Sequence, residues 1–136
     1  MGCTSIGARA AAERIYRENI TAADPLDLSA GPLAEAPAPN LNRGLQGNDG
    51  QTVVISVVFA NPGETADLAI VNWGRPKTGD PVPISVRELT QITGGDLLDG
   101  AQPYASELVE PCNAPQFEIR VRAITGTIVA MRVWTY

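Results

Sequence analysis

The chain reads as an all-β protein: an antiparallel β-sandwich or small barrel with an extended N-terminal arm containing one short helix. Three observations predict this. Residues 51–136 carry a succession of short β-branched or alternating segments. Clusters of Gly, Pro, Asn and Asp separate them at roughly the strand-and-turn spacing of sandwiches and barrels. Helical periodicity is confined to the first 20 residues.

Gln51 to Ala60 (QTVVISVVFA) is almost wholly apolar and reads as a central strand buried on both faces. Asn61-Pro62-Gly63 is a turn, and Ala66 to Trp73 (ADLAIVNW) follows it as the second arm of a hairpin. Gly74 to Pro81 is a loop. Val82 to Ile92 sets Val82, Ile84 and Val86 against Pro83, Ser85 and Arg87, and Pro83 places its first residues on a sheet edge. Gly94 to Gln102 is a loop, Tyr104 to Val109 a short strand and Glu110 to Pro115 a turn.

Gln116 to Ile124 (QFEIRVRAI) and Ile128 to Tyr136 (IVAMRVWTY) read as a closing hairpin around Thr125-Gly126-Thr127. With a three-residue loop, Ile119 faces Val133, Val121 faces Met131 and Ala123 faces Val129. Phe117 joins that face, which is apolar except for Thr135. Glu118, Arg120, Arg122, Arg132 and Trp134 take the other. A two-residue loop mixes Arg132 into the apolar face. A one-residue slip exchanges faces, so burial selects the three-residue loop. Such a small domain buries only about 60–65% of its unfolded surface, which favours help from oligomer contacts.

Residues 1–50 form the arm, and residues 51–136 the β-sandwich domain. Ser5 to Ile20 (SIGARAAAERIYRENI) reads as the helix. Ala8, Ala11, Ala12, Ile15 and Tyr16 share one weak apolar stripe, and Glu13 precedes Arg17 by one turn. Thr21 to Gly50 then reads as extended chain punctuated by Pro25, Pro32, Pro37 and Pro39. Fixing each backbone residue costs about 1–2 kcal/mol. The arm has few large apolar groups to offset that, so an ordered arm implies that neighbouring subunits hold it.

The 136 residues are 44% hydrophobic and 18% charged, with a net charge of −5. This excludes a wholly disordered chain and disfavours nonspecific nucleic-acid binding. No apolar run approaches the roughly 18–20 residues of a membrane span. No signal peptide opens the sequence, and Met1-Gly2-Cys3 lacks the Ser or Thr that myristoylation needs where Ile6 stands. Cys3 and Cys112 read as free thiols. The basic residues are nine Arg and Lys77. That bias fits partly buried planar contacts, and high genomic GC content would also produce it.

The chain contains no histidine. Triads, blue-copper sites and catalytic zinc sites thereby lose their usual base or ligand. No nucleophile elbow or phosphate loop is present. Gly94 to Gly100 (GGDLLDG) puts Asp96 and Asp99 in a Gly-rich loop. Oxygen ligands for Ca²⁺ are available there, but EF-hand spacing is absent and tight turns explain the residues. No catalytic residue, cofactor or metal is assigned.

Glu88, Asp96, Asp99, Glu107, Glu110 and Glu118 follow one another without an intervening basic residue. They form a solvated acidic region or a surface for Arg-rich partners. Arg120, Arg122 and Arg132 beside Trp134 have the composition of an interface hot spot, although Arg stems also cover secondary core layers. These four, with Ile15 and Tyr16 of the arm, are the interface candidates.

An Ala/Pro/Gly-rich arm (Ala22 to Pro39) leading into a small β domain (Gln51 to Tyr136) resembles virion structural proteins of tailed bacteriophages, above all head decoration or cement proteins. The resemblance implies a homo-oligomer, often a trimer, seated on a major capsid or other virion protein. It implies residence in a virion assembled in the host cytoplasm, and protein partners without direct nucleic-acid or membrane contact. Arms and edge strands would lace neighbouring subunits together against internal DNA pressure. The rival reading is a stand-alone β-sandwich binding or adhesion module with a flexible linker. On the proposed register, Val121→Asp should unfold the domain by burying an unpaired charge. Arg120→Glu should spare the fold and weaken assembly. Thermal melts and size-exclusion profiles of the two variants check the pair.

Overall fold

The computed structural model of the chain describes residues 12–33, 44–47, 52–94, 104–111 and 116–135, with backbone alone for Ala12 and 104–111. These residues form strands β1 (Ala12–Ile20), β2 (Gln46–Gly47), β3 (Thr52–Phe59), β4 (Thr65–Gly74), β5 (Val82–Thr93), β6 (Tyr104–Pro111), β7 (Gln116–Thr125) and β8 (Ile128–Thr135). One short 3₁₀ turn, Leu28–Ala30, lies between β1 and β2.

The strands make two four-stranded antiparallel sheets, ordered β1-β8-β3-β6 and β2-β7-β4-β5. We call them sheets A and B. Among the described residues the chain changes sheet at nearly every connection, and only β4 and β5 are consecutive strands paired side by side. This order is that of a jelly roll, in which two interleaved Greek keys make a sandwich.

The alternation that predicted the strands also builds the core. Val53, Ile55, Val57 and Phe59 of β3 are buried, while the residues between them are half-buried. They meet Ala66, Leu68 and Ile70 of β4, and Phe117, Ile119 and Val121 of β7. Ile128, Met131 and Val133 of β8, Ile15 and Ile20 of β1, and Leu89 and Ile92 of β5 complete the same cluster. Thus β3 is central in its sheet, as its sequence suggested, but one face is buried rather than both.

Three further expectations are corrected. The described part of the proposed helix, residues 12–20, is strand β1, which pairs with β8 along its length. Tertiary pairing overrides the helical propensity of an Ala-rich stretch whose apolar stripe is too weak to pack. Residues 5–11 of that helix lie outside the described residues. Residue 50 does not separate an arm from a domain, because β1 and β2 are members of the two sheets. Finally, β7 and β8 do not form a hairpin. β7 pairs with β4 and β2, and β8 pairs with β1 and β3. Their connection is an arch that carries the chain across the core, as is the connection from β3 to β4. Ile119, Val121, Met131 and Val133 do share one core, but across two layers.

The two arches are stapled together. The Glu64 carboxylate accepts the Asn61 backbone N–H at 3.0 Å and the Thr127 N–H at 3.4 Å. Gly126 turns the second arch with φ at +82°, and an added Cβ would lie 2.1 Å from the Glu64 carboxylate. The Asn61 amide, foremost, holds the Glu64 carboxyl below its ordinary value of 4.5, partly opposed by desolvation. A carboxylate with a depressed folded pKa stabilises the fold above its unfolded pKa, and that contribution is lost as pH falls through the folded value. Glu64→Gln should therefore lower the melting temperature at pH 7. Its deficit against wild type should shrink as pH drops below the ordinary glutamate value. Thermal melts across pH check this, and a deficit independent of pH would contradict it.

Candidate functional site

The outer face of sheet B is built from β7, β4 and β5. Register aligns Arg120, Ala69 and Glu88 in one cross-strand row, and Glu118, Val71 and Val86 in the next. The chain after β1 crosses from sheet A and lies over part of this face as a strap, residues 24–33.

Polar contacts hold the strap down. Asp24 docks on the edge of β7: its N–H donates to the Val121 carbonyl at 2.8 Å, and its carboxylate accepts the Val121 N–H at 2.7 Å. Arg17 grips the same carboxylate bidentately, at 2.8 and 2.9 Å, from inside sheet A. Further along, Arg120 donates to the Pro25 carbonyl at 2.8 Å and the Gly31 carbonyl at 2.9 Å. Its remaining guanidinium edge donates to Glu118, whose other oxygen accepts the Leu33 N–H at 3.0 Å. Asp27 caps the 3₁₀ turn, and the Ser29 hydroxyl and amide hold its carboxyl below the usual value.

Under and beside the strap, Ala69, Val71 and Trp73 form a second small apolar cluster covered by Leu28 and Leu45. The Trp73 indole N–H is buried without an acceptor among the described residues. Between strap and β5 runs a groove of about 230 Å³. Ala69 and Val71 floor it, Leu26 and Leu28 line the strap side, and Val86 the β5 side. At one end Arg122 pairs with Glu88, both partly exposed.

β5 is the outermost strand of this sheet, and every residue from Val82 to Glu88 is exposed. Val82, Ile84 and Val86 are 50%, 59% and 47% exposed. With Leu26 they make up most of the exposed large hydrophobic side chains among the described residues. Val82 and Ile84 pack over Gly74, where an added Cβ would sit 2.9 Å from the Ile84 side chain.

Sheet A presents a different outer face. Tyr16 lies opposite Arg132, and Glu13 opposite Trp134. The Arg132 guanidinium stacks over the Tyr16 ring at 4.6 Å and contacts Glu13 at 3.4 Å. The Tyr16 hydroxyl donates to Glu18 at 3.1 Å, which raises the phenol above its ordinary value.

The interface candidates therefore divide. Tyr16, Arg132 and Trp134 come together on sheet A, although the expected helix that was to carry Tyr16 is a strand. Ile15 points into the core at 2% exposure. Arg122 is half-buried on sheet B and bound to Glu88. Arg120 is not a surface residue: it is 2% exposed, so Arg120→Glu would damage the fold rather than spare it. The acidic side chains seen here pair within the chain, Glu88 with Arg122 and Glu118 with Arg120. Asp96, Asp99 and the rest of the GGDLLDG loop after Gly94, Cys3, Cys112 and the side chains of Glu107 and Glu110 lie outside the described residues. Among the described residues no group of three or more metal-ligating acids or cysteines occurs.

Sequence reasoning missed Arg17, Asp24 and the exposed row on β5. Pro83 signalled the edge, but nothing local distinguished exposed Val82, Ile84 and Val86 from core residues. Comparison with protein-family models, curated proteins and solved structures found no match for the chain.

The buried Arg120–Glu118 pair sets a quantitative expectation. Removing one partner of a buried ion pair costs about 3–5 kcal/mol, because the other charge is stranded. Arg120→Ala should destabilise the fold on that scale, and a second change, Glu118→Leu, should recover much of the loss. Chemical denaturation of the two single variants and the double variant makes the measurement.

Proposed function

We propose that the chain is a non-catalytic structural subunit of a larger assembly: a decoration or cement protein, or another virion protein, of a tailed-phage particle. The observation that carries this reading is the concentration of exposed apolar side chains on one open strand edge. Soluble proteins usually blunt such edges, because they template pairing with another chain. A jelly roll suits the role, being a common architecture of capsid and lectin domains, although fold alone does not assign a function. The buried charged residues among those described, Arg17, Asp24, Glu118 and Arg120, fasten the chain to itself.

The part played by the arm changes. Its described residues, 12–33 and 44–47, are held by the chain's own sheets, so contacts with neighbouring subunits fall to the β5 edge and the outer faces. That same docking favours the second reading, a self-contained binding or adhesion module. Expressed in its native host, the chain should cofractionate with particles of megadalton mass on a sucrose gradient. Recovery wholly in the low-mass soluble fraction would contradict the assembly reading and leave the module.

A further inference from the structure

We propose that the open edge of β5 binds β5 of a second copy, forming an antiparallel two-fold pair that makes sheet B continuous across two subunits. This rests on the assembly reading and names the partner at that edge.

The backbone decides which groups are free. Both the N–H and the carbonyl of Val121 bond to Asp24, away from β4. Hydrogen-bonding direction alternates along a strand. Arg120 therefore points its backbone groups at Ala69, its partner in β4. Ala69 in turn points away from β5, and its neighbours Leu68 and Ile70 point towards Leu89 and Arg87. By the same alternation, Val86 and Glu88 direct their N–H and carbonyl groups outward from the sheet. These are exposed residues, free to pair with an added strand.

The free stretch is bounded at both ends. Pro83 has no N–H to offer, and beside it a first bulge leaves Ile84 as the extra residue between Pro83 and Ser85. At the other end a bulge falls between Leu89 and Ile92, with Gln91 at φ +58° and its N–H already taken by the Asp67 carboxylate at 2.8 Å. An incoming strand thus has the short segment from Ile84 to Glu88.

Charge admits a second copy and narrows the register. The segment is ISVRE, with one Arg and one Glu, and Glu88 is bound to Arg122. With the two-fold axis at Val86, Val86 meets Val86 of the second copy, Ser85 meets Arg87, and Ile84 meets Glu88. No like charges face each other. Moving the axis to Arg87 brings that cation against itself, and like charges directly opposite are destabilising. Val86 on the axis gives a β-branched cross-strand pair, a favourable contact in a sheet. Two-fold pairing is the commonest closed symmetry of homo-oligomers. The adjoining groove is apolar and its charges are paired, so it repels neither copy.

The test is sedimentation equilibrium of the full chain from about 1 µM to about 500 µM, a range that brackets a weak dimer. Val86→Pro removes one outward N–H without touching the bonds from β5 to β4. Val86→Lys places like charges on the axis and keeps the backbone intact. Val86→Thr is the conservative control. Circular dichroism confirms folding, and Val86→Lys carries the test if the Pro variant unfolds. A concentration-dependent dimer is expected, weakened about tenfold or more by Pro and Lys and kept by Thr. A monomer throughout, or a dimer indifferent to both Pro and Lys, overturns the proposal. A monomer that still cofractionates with megadalton particles would sink this pairing alone. A dimer found only in the low-mass fraction would sink the assembly reading instead.

Discussion

Glu118 and Arg120 lie on the outer face of β7 at 1% and 2% exposure, and covering these two charges is the constraint around which the rest of sheet B is arranged. Each buried ion costs several kcal/mol in lost hydration, and mutual attraction repays that only with good geometry and further hydrogen bonds. The strap supplies those bonds. Two of its carbonyls take the guanidinium, and one of its amides takes the free carboxylate oxygen. Without residues 24–33 in place, the pair would lie on the open outer face and be hydrated, so the strap's hydrogen bonds are what replace water when it docks. The strap in turn is fixed at its start by Arg17 and Asp24. That contact links the interior of sheet A to the edge of sheet B and aligns the two layers.

The consequence for function is one of allocation. Polar groups of the arm are used within the chain, so the arm covers part of sheet B and leaves the remainder bare. The bare part is the groove and the β5 edge, where apolar side chains and free backbone groups coincide. A sheet edge of this kind gains most from a neighbouring strand. The outer face of sheet A differs in kind: Glu13, Arg132, Tyr16 and Glu18 satisfy one another there, so that surface has less to gain from a partner.

Much of this was legible in the sequence, for an identifiable reason. Strands β3, β4, β5, β7 and β8 alternate or concentrate β-branched residues, and those signals report local extension directly. β1 hid because its inward row breaks the rule. Its inward residues are Ile15, Arg17 and Ile20, interrupted by a bulge after Glu13 and by Asn19 at positive φ. A charged inward residue and two irregularities erase a two-residue period and leave an Ala-rich segment that resembles a helix. The arches were illegible because a short Gly-containing connection looks the same whether its strands pair or face each other across a core. That choice depends on the partners β1, β3 and β4, which lie far away in the chain. Arg120 was misplaced for the same reason: alternation put it correctly on the outer face, but only the strap, some 90 residues away in sequence, makes that face an interior.

The central claim is that the chain's own sheet, rather than a neighbour, holds residues 24–33. Amide hydrogen exchange by NMR, on full-length protein diluted until it is monomeric, tests this most directly. The Asp24, Val121 and Leu33 amides are not bonded within any strand pairing, and all three are protected only if the strap is docked. Slow exchange at all three in the monomer is the expected result. Rapid exchange at these amides, beside slow exchange in β3 and β8, would show a core that folds while its strap floats, and would contradict the account.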